Sequence, residues 1–152
     1  MKKLSSERDL LLAQLSELLW VERRLAFDVL KDVIDAVHDS DLRALFDGHL
    51  EETRQHVTRV EQAFRELGIE PSSALSPGFS GLIEQHDTVA KKIVDSGVED
   101  RWHAASGIAA EHFELALYAG IRSEVVRQAL ATNVDDEESA LKKLETWLRA
   151  SG

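Results

Sequence analysis

The chain has 152 residues, of which 43% are hydrophobic and 30% charged, a balance that fits one domain with a buried core, spanning 1–152, and excludes a disordered tail. Eighteen Lys+Arg against 28 Asp+Glu give a net charge of −10, which repels nucleic acid and anionic lipid. The absence of cysteine excludes disulfides, Fe–S clusters, thiolate zinc sites and a cysteine nucleophile, and suits a reducing cytoplasm.

The basic start Met1-Lys2-Lys3-Leu4 runs at once into Ser5-Ser6-Glu7-Arg8-Asp9, so neither a signal peptide nor a membrane span is expected. A first helix opens near Ser5 or Ser6 and runs to about Val37, with an apolar stripe of Leu11, Leu15, Leu18, Leu25, Val29 and Val33. A second, capped by Asp39 or Ser40, covers Asp41 to Leu67 and stops at Gly68 with Pro71 beyond. After a linker from Ile69 to Ser76, Ser76-Pro77 opens a short third helix ending near Ser96-Gly97. Asp100 is expected to start a fourth helix through Ala119, and Ser123 to cap one last helix through Leu148. The pattern is all-α: a four-helix bundle whose long crossover carries a short extra helix.

Polar residues interrupt these stripes. Glu22 fills the step from Leu18 to Leu25, and His49, Glu52 and His56 fill the step from Leu45 to Val60. Glu111 and Glu114 interrupt the fourth helix, and Glu137 stands between Val134 and Leu141. A carboxylate buried alone costs several kcal/mol, so each needs a partner. Two readings stay open: a divalent cation shared between facing helices, or solvation and ion pairing with Arg23, Arg24, Arg54 or Arg59. His49 reads as a hydrogen-bonded histidine of the core or its edge, and His38, His86 and His103 read as single histidines. No two of the six histidines are four residues apart, which excludes a hemerythrin-like oxygen carrier.

Helical rise sets the levels. Glu22 lies 15 residues before Val37, and Glu52 and His56 lie 12 and 16 after Ser40, so the first hairpin brings them flush. Glu111 lies nine residues before Gly120 and Glu137 lies 14 after Ser123. That offset of five residues, roughly 7–8 Å, predicts that Glu111 and Glu137 do not share an ion unless the hairpin bends or the turn lies elsewhere.

The segments Leu-Trp-Val-Glu22-Arg-Arg-Leu, His49-Leu-Glu-Glu52-Thr and Glu-Gln-Ala-Phe-Arg-Glu-Leu-Gly68 resemble the first two helices of the YciE/YciF family of bacterial proteins. Gly81-Leu-Ile-Glu84, Glu111-His112-Phe-Glu114-Leu-Ala-Leu-Tyr118 and Val134-Asp-Asp-Glu137-Glu are similar to its later helices. The resemblance implies a ferritin-like bundle, a homodimer, a link to stress responses and a candidate two-metal carboxylate site. Glu22, Glu52, Glu111, Glu114 and Glu137 fall on the family's acidic positions, and His56 stands where a glutamine is expected. The chain is also about seven residues, two helical turns, shorter than the family between Tyr118 and Glu137.

Two functions follow as expectations. In the first, Glu22, Glu52, His56, Glu111, Glu114 and Glu137 hold Fe or Mn, with oxidase or peroxide-scavenging chemistry. In the second, the chain is a metal-free dimeric bundle with a structural or binding role, its seam carboxylates paired or protonated.

Overall fold

The computed structural model describes residues 3–152, so Met1 and Lys2, half of the basic start, lie outside the described residues. Helix α1 (Glu7–Arg24) passes through a π-helical turn (Leu25–Val29) into α2 (Leu30–Ala36), making one continuous rod. After a short connection come α3 (Ser40–Glu66), α4 (Pro77–Ala90) and α5 (Ser96–Ala119), then α6 (Glu124–Ala129) and α7 (Ala131–Ala150). No strand occurs among the described residues, and none of their helices is long and apolar enough to cross a membrane.

Polar side chains close the free N–H groups at the helix starts. Ser6, Asp39, Ser76, Asp95 and Ser123 accept from the backbone N–H groups of Asp9, Leu42, Phe79, Val98 and Val126, each supplying a partner that the helix cannot. Gly68, at φ +72°, adopts the left-handed conformation that ends α3 at little steric cost.

Three expected boundaries move. The short third helix ends at Ala90, not near Ser96-Gly97. The fourth helix starts at Ser96 under Asp95, not at Asp100, because Asp100 points back to the first hairpin. There it accepts from the N–H groups of His38 (2.9 Å) and Asp39 (2.8 Å). The last helix is not continuous: it breaks at Leu130, whose φ of −105° and ψ of 8° separate α6 from α7. Leu130 is 1% exposed, so packing holds this corner without a proline or glycine to mark it.

The α1–α2 rod, α3, α5 and α7 form the bundle, and α4 lies on α5 within the crossover between the two hairpins. The core comes in two apolar clusters. One gathers Leu15, Leu18, Leu19, Val60, Phe64, Ile121 and Leu130, and the other Val21, Leu25, Leu30, Leu42, Phe46, Phe79 and Leu144. Between them along all four long rods lies a buried polar layer: Glu22, His49, Thr53, His56, Glu111, Glu114, Asn133 and Glu137.

Candidate metal centre

Each rod contributes to that layer at the level where its apolar stripe is interrupted. Glu22 sits one turn before the π-helical turn, in which the N–H of Leu30 bonds the carbonyl of Leu25, five residues back. Such turns absorb an extra residue within a continuous helix and occur often beside functional sites. His49 and His56 stand seven residues apart on α3, two turns and therefore one face. Glu111 and Glu114 occupy successive turns of α5, and Glu137 projects from α7.

The side chains converge as two groups sharing one member. One oxygen or nitrogen from each of Glu22, His56 and Glu137 lies within 4.8 Å of the others, and so do those of His49, Glu111, Glu114 and Glu137. His56 Nδ1 is 2.8 Å from Glu137 Oε1 and 3.4 Å from Glu22 Oε2, while His49 Nε2 is 2.6 Å from Glu111 Oε1. Yet Glu22 Oε2, Glu111 Oε2, His56 Nδ1 and both oxygens of Glu114 and Glu137 make no well-aligned hydrogen bond, the 2.8 Å approach of His56 Nδ1 to Glu137 Oε1 included. Buried polar atoms are normally paired; here several lack well-aligned partners at one place.

An outer ring holds these groups in place. Tyr118 donates its hydroxyl to Glu22 Oε1 at 2.6 Å and accepts from Asn133 Nδ2 at 3.0 Å. His56 Nε2 lies 3.0 Å from Asp136 Oδ2, and the Arg59 guanidinium reaches both Asn133 Oδ1 (3.0 Å) and Asp136 (3.6 Å). Thr53 donates to the carbonyl of His49. With Asp136 placed to accept from Nε2–H, a His56 ring that gives up its Nδ1 proton would present that nitrogen's lone pair toward Glu22 and Glu137, the tautomer a metal ligand needs.

Charge is left uncompensated. Among the described residues no Lys or Arg pairs with Glu22, Glu111, Glu114 or Glu137: Arg23 pairs with Glu61, Arg24 with Asp28, Arg54 with Glu51. Burial, and then the neighbouring carboxylates, hold Glu114 well above the usual range. Burial likewise raises Glu111 and Glu22 against the pull of His49 and His56. Glu137 moves the other way: burial works to raise it, but Glu111, His56 and the His49 charge bring it down to about 2. Desolvation works to lower His56, and Glu137 and Glu22 outweigh it, raising the ring to about 10. Protons thus occupy, in the metal-free protein, the place where positive charge is wanted. Either group could hold a metal ion: Glu22, His56 and Glu137 in one, His49, Glu111, Glu114 and Glu137 in the other.

The protein family described as Domain of unknown function (DUF892) matches residues 6–151. The chain belongs to this family. Among solved structures, YcfI, described as a putative structural protein from Rhodopseudomonas palustris, is 31% identical and superposes with a TM-score of 0.91, covering 95% of this chain and 96% of that one. The E. coli stress protein YciF superposes with a TM-score of 0.89 at 22% identity, covering 97% and 98%. No curated protein matches the sequence. The resemblance to YciE/YciF is borne out, and the DUF892 fold is the expected all-α bundle.

Within this DUF892 chain, five of the six residues singled out from the sequence come together: Glu22, His56, Glu111, Glu114 and Glu137. Glu52 does not. Its side chain is 36% exposed and lies 3.9 Å from His49 Nδ1, outside both groups. Glu111 and Glu137 do meet, because the turn lies elsewhere than at Ser123. The helix bearing Glu137 starts at Ala131 rather than Ser123, so Glu137 is six residues into it, nearly level with Glu111, eight residues before the end of α5. His49 takes the place left by Glu52, and its spacing of seven from His56 was the signal in the sequence. His86 and His103 are not single either: His86 Nε2 and His103 Nδ1 are 2.9 Å apart.

Proposed function

We propose that this protein binds a pair of Fe or Mn ions in the polar layer of its bundle. The supporting observation is the convergence of buried, unpartnered oxygens and nitrogens from Glu22, His56, Glu111, Glu114 and Glu137. Such ions, when bound, supply redox chemistry with oxygen or peroxide. The chain's own residues fix the ligands: Tyr118 holds Glu22 in one rotamer, Asp136 fixes the tautomer of His56, and the flanking apolar clusters exclude bulk water. In this reading the protein works as a cytoplasmic homodimer in a stress response, an extension from the E. coli stress protein of the same fold.

The second reading is a metal-free structural bundle. It draws on the description of YcfI as a putative structural protein and on His49 and His56, which already face Glu111 and Glu137 as proton-bearing partners. Elemental analysis after growth with ample Fe and Mn decides between them. Near-stoichiometric metal in the parent, lost in Glu137→Ala and retained in Glu52→Ala, supports the ion pair. A folded parent that carries no metal and takes up none on reconstitution leaves the structural bundle.

A further inference from the structure

Between the π-helical turn and α2 on one side and α4 and α5 on the other lies a slender cavity of about 60 Å³. Leu25, Leu30, Phe46 and Phe79 form its inner wall, and the half-buried Val29 and Ile83 face outward. Its polar groups are few: His49 and Glu111 belong to the centre, His86 and His103 lie toward the far end of α4, and Ser106, beside Gly107, has its Oγ buried rather than open to the slot. From His103 to Glu111 is eight residues of α5, about 12 Å of helix. Gly107 lies midway, and a Cβ there would meet Leu144 at 2.9 Å and Phe46 at 3.3 Å, so a larger residue would push those side chains aside.

The wall chemistry selects the occupant. Water or hydrogen peroxide in the middle of the slot would give up hydrogen bonds that the aliphatic and phenyl groups cannot replace. A small apolar molecule loses nothing there, and narrow apolar cavities of this kind stay dry and take up apolar gases. We propose that the slot is the binding pocket and access route by which a small apolar molecule, of the class of dioxygen, reaches the His49–Glu111 side of the centre. This rests on the metal reading and selects oxygen over peroxide as the reactant.

Xenon is the probe. Crystals of the metal-free full-length protein under xenon pressure are expected to show an anomalous peak between Leu30 and Ala110. The peak is lost in Ala110→Leu, which places three further carbons in the cavity, and in Ile83→Phe, which fills it from the half-buried side of α4 should the first variant fail to fold. In the reduced, metal-loaded protein, filling the slot slows metal oxidation by dissolved oxygen and leaves metal content unchanged. An empty slot in the parent under xenon overturns the proposal while leaving the metal reading intact. So does oxidation by oxygen that is equally fast with the slot filled. Xenon in the slot of a protein that never takes up metal overturns the route as well, through failure of the metal reading.

Discussion

Tyr118 and Glu22 meet at the boundary between the polar layer and the Leu15–Phe64 cluster, and one hydroxyl serves both sides. It donates to Glu22 Oε1 and accepts from Asn133; burial, and then the Glu22 charge, hold its own pKa well above the usual phenol range. Tyr118→Phe keeps the ring in the core and removes only the oxygen. The variant is expected to lose about 1–3 kcal/mol of stability, the cost of leaving a buried acceptor unsatisfied. It is also expected to bind metal about 10–100-fold more weakly, as when an outer partner of a ligand is removed. Urea unfolding of the metal-free protein reads the first and titration with Mn(II) the second. Unchanged metal affinity would show that Glu22 is not a ligand. The acidic residues of this site were legible in the sequence because each breaks an apolar stripe. The tyrosine was not, since an aromatic on a stripe reads as core, and Glu52 was read too favourably because a stripe counted by spacing is wider than the buried face.

At the scale of elements, the corner between α5 and α7 decides whether four rods or three reach the centre. Capping, glycine and proline signals placed four of the helix starts correctly, since Ser6, Asp39, Ser76 and Ser123 lie where a short polar side chain precedes an apolar run. The break at Leu130 carries no such mark. It arises because Val126 and Leu130 turn into the cluster formed by Phe64 and Ile121, a tertiary demand that overrides helix propensity. Counting residues along an unbroken helix therefore put Glu137 a turn and a half too far away. If packing holds the corner, Leu130→Ala should cost about 2–5 kcal/mol, whereas Val125→Ala on the same short helix, at 69% exposure, should stay within about 0.5 kcal/mol. Chemical denaturation of both variants measures the contrast. Equal effects would mean that α6 is a passive connection.

Across the whole molecule, a charged layer sandwiched between two apolar clusters makes stability depend on what neutralises that layer, so under the proposed function protons and metal ions would compete for one role. In the metal-free protein His56 titrates near 10 against 6.5 when exposed. The folded state then binds more protons than the unfolded state between those values, and stability, full below about pH 6.5, falls as pH rises toward 10. Glu22, Glu111 and Glu114, raised above 4.5, act in the same sense: their contribution is full below 4.5 and is lost as each ionises. Glu137, lowered to about 2 from 4.5, opposes them only on the acid side, where its contribution is lost as pH falls. Metal bound there would reverse the slope, because it takes the deprotonated ligands and releases the protons they carried. At a metal concentration 100 times the Kd the stabilisation is about 2.7 kcal/mol, and for a chain of this size each kcal/mol raises Tm by about 2–4 °C. Thermal melts from pH 6 to 9, with chelator and with Mn(II), should therefore diverge: Tm falls with pH under chelator, and the gap to the metal-loaded protein widens. Two curves that run parallel across that range would show that protons and metal do not exchange at the same carboxylates.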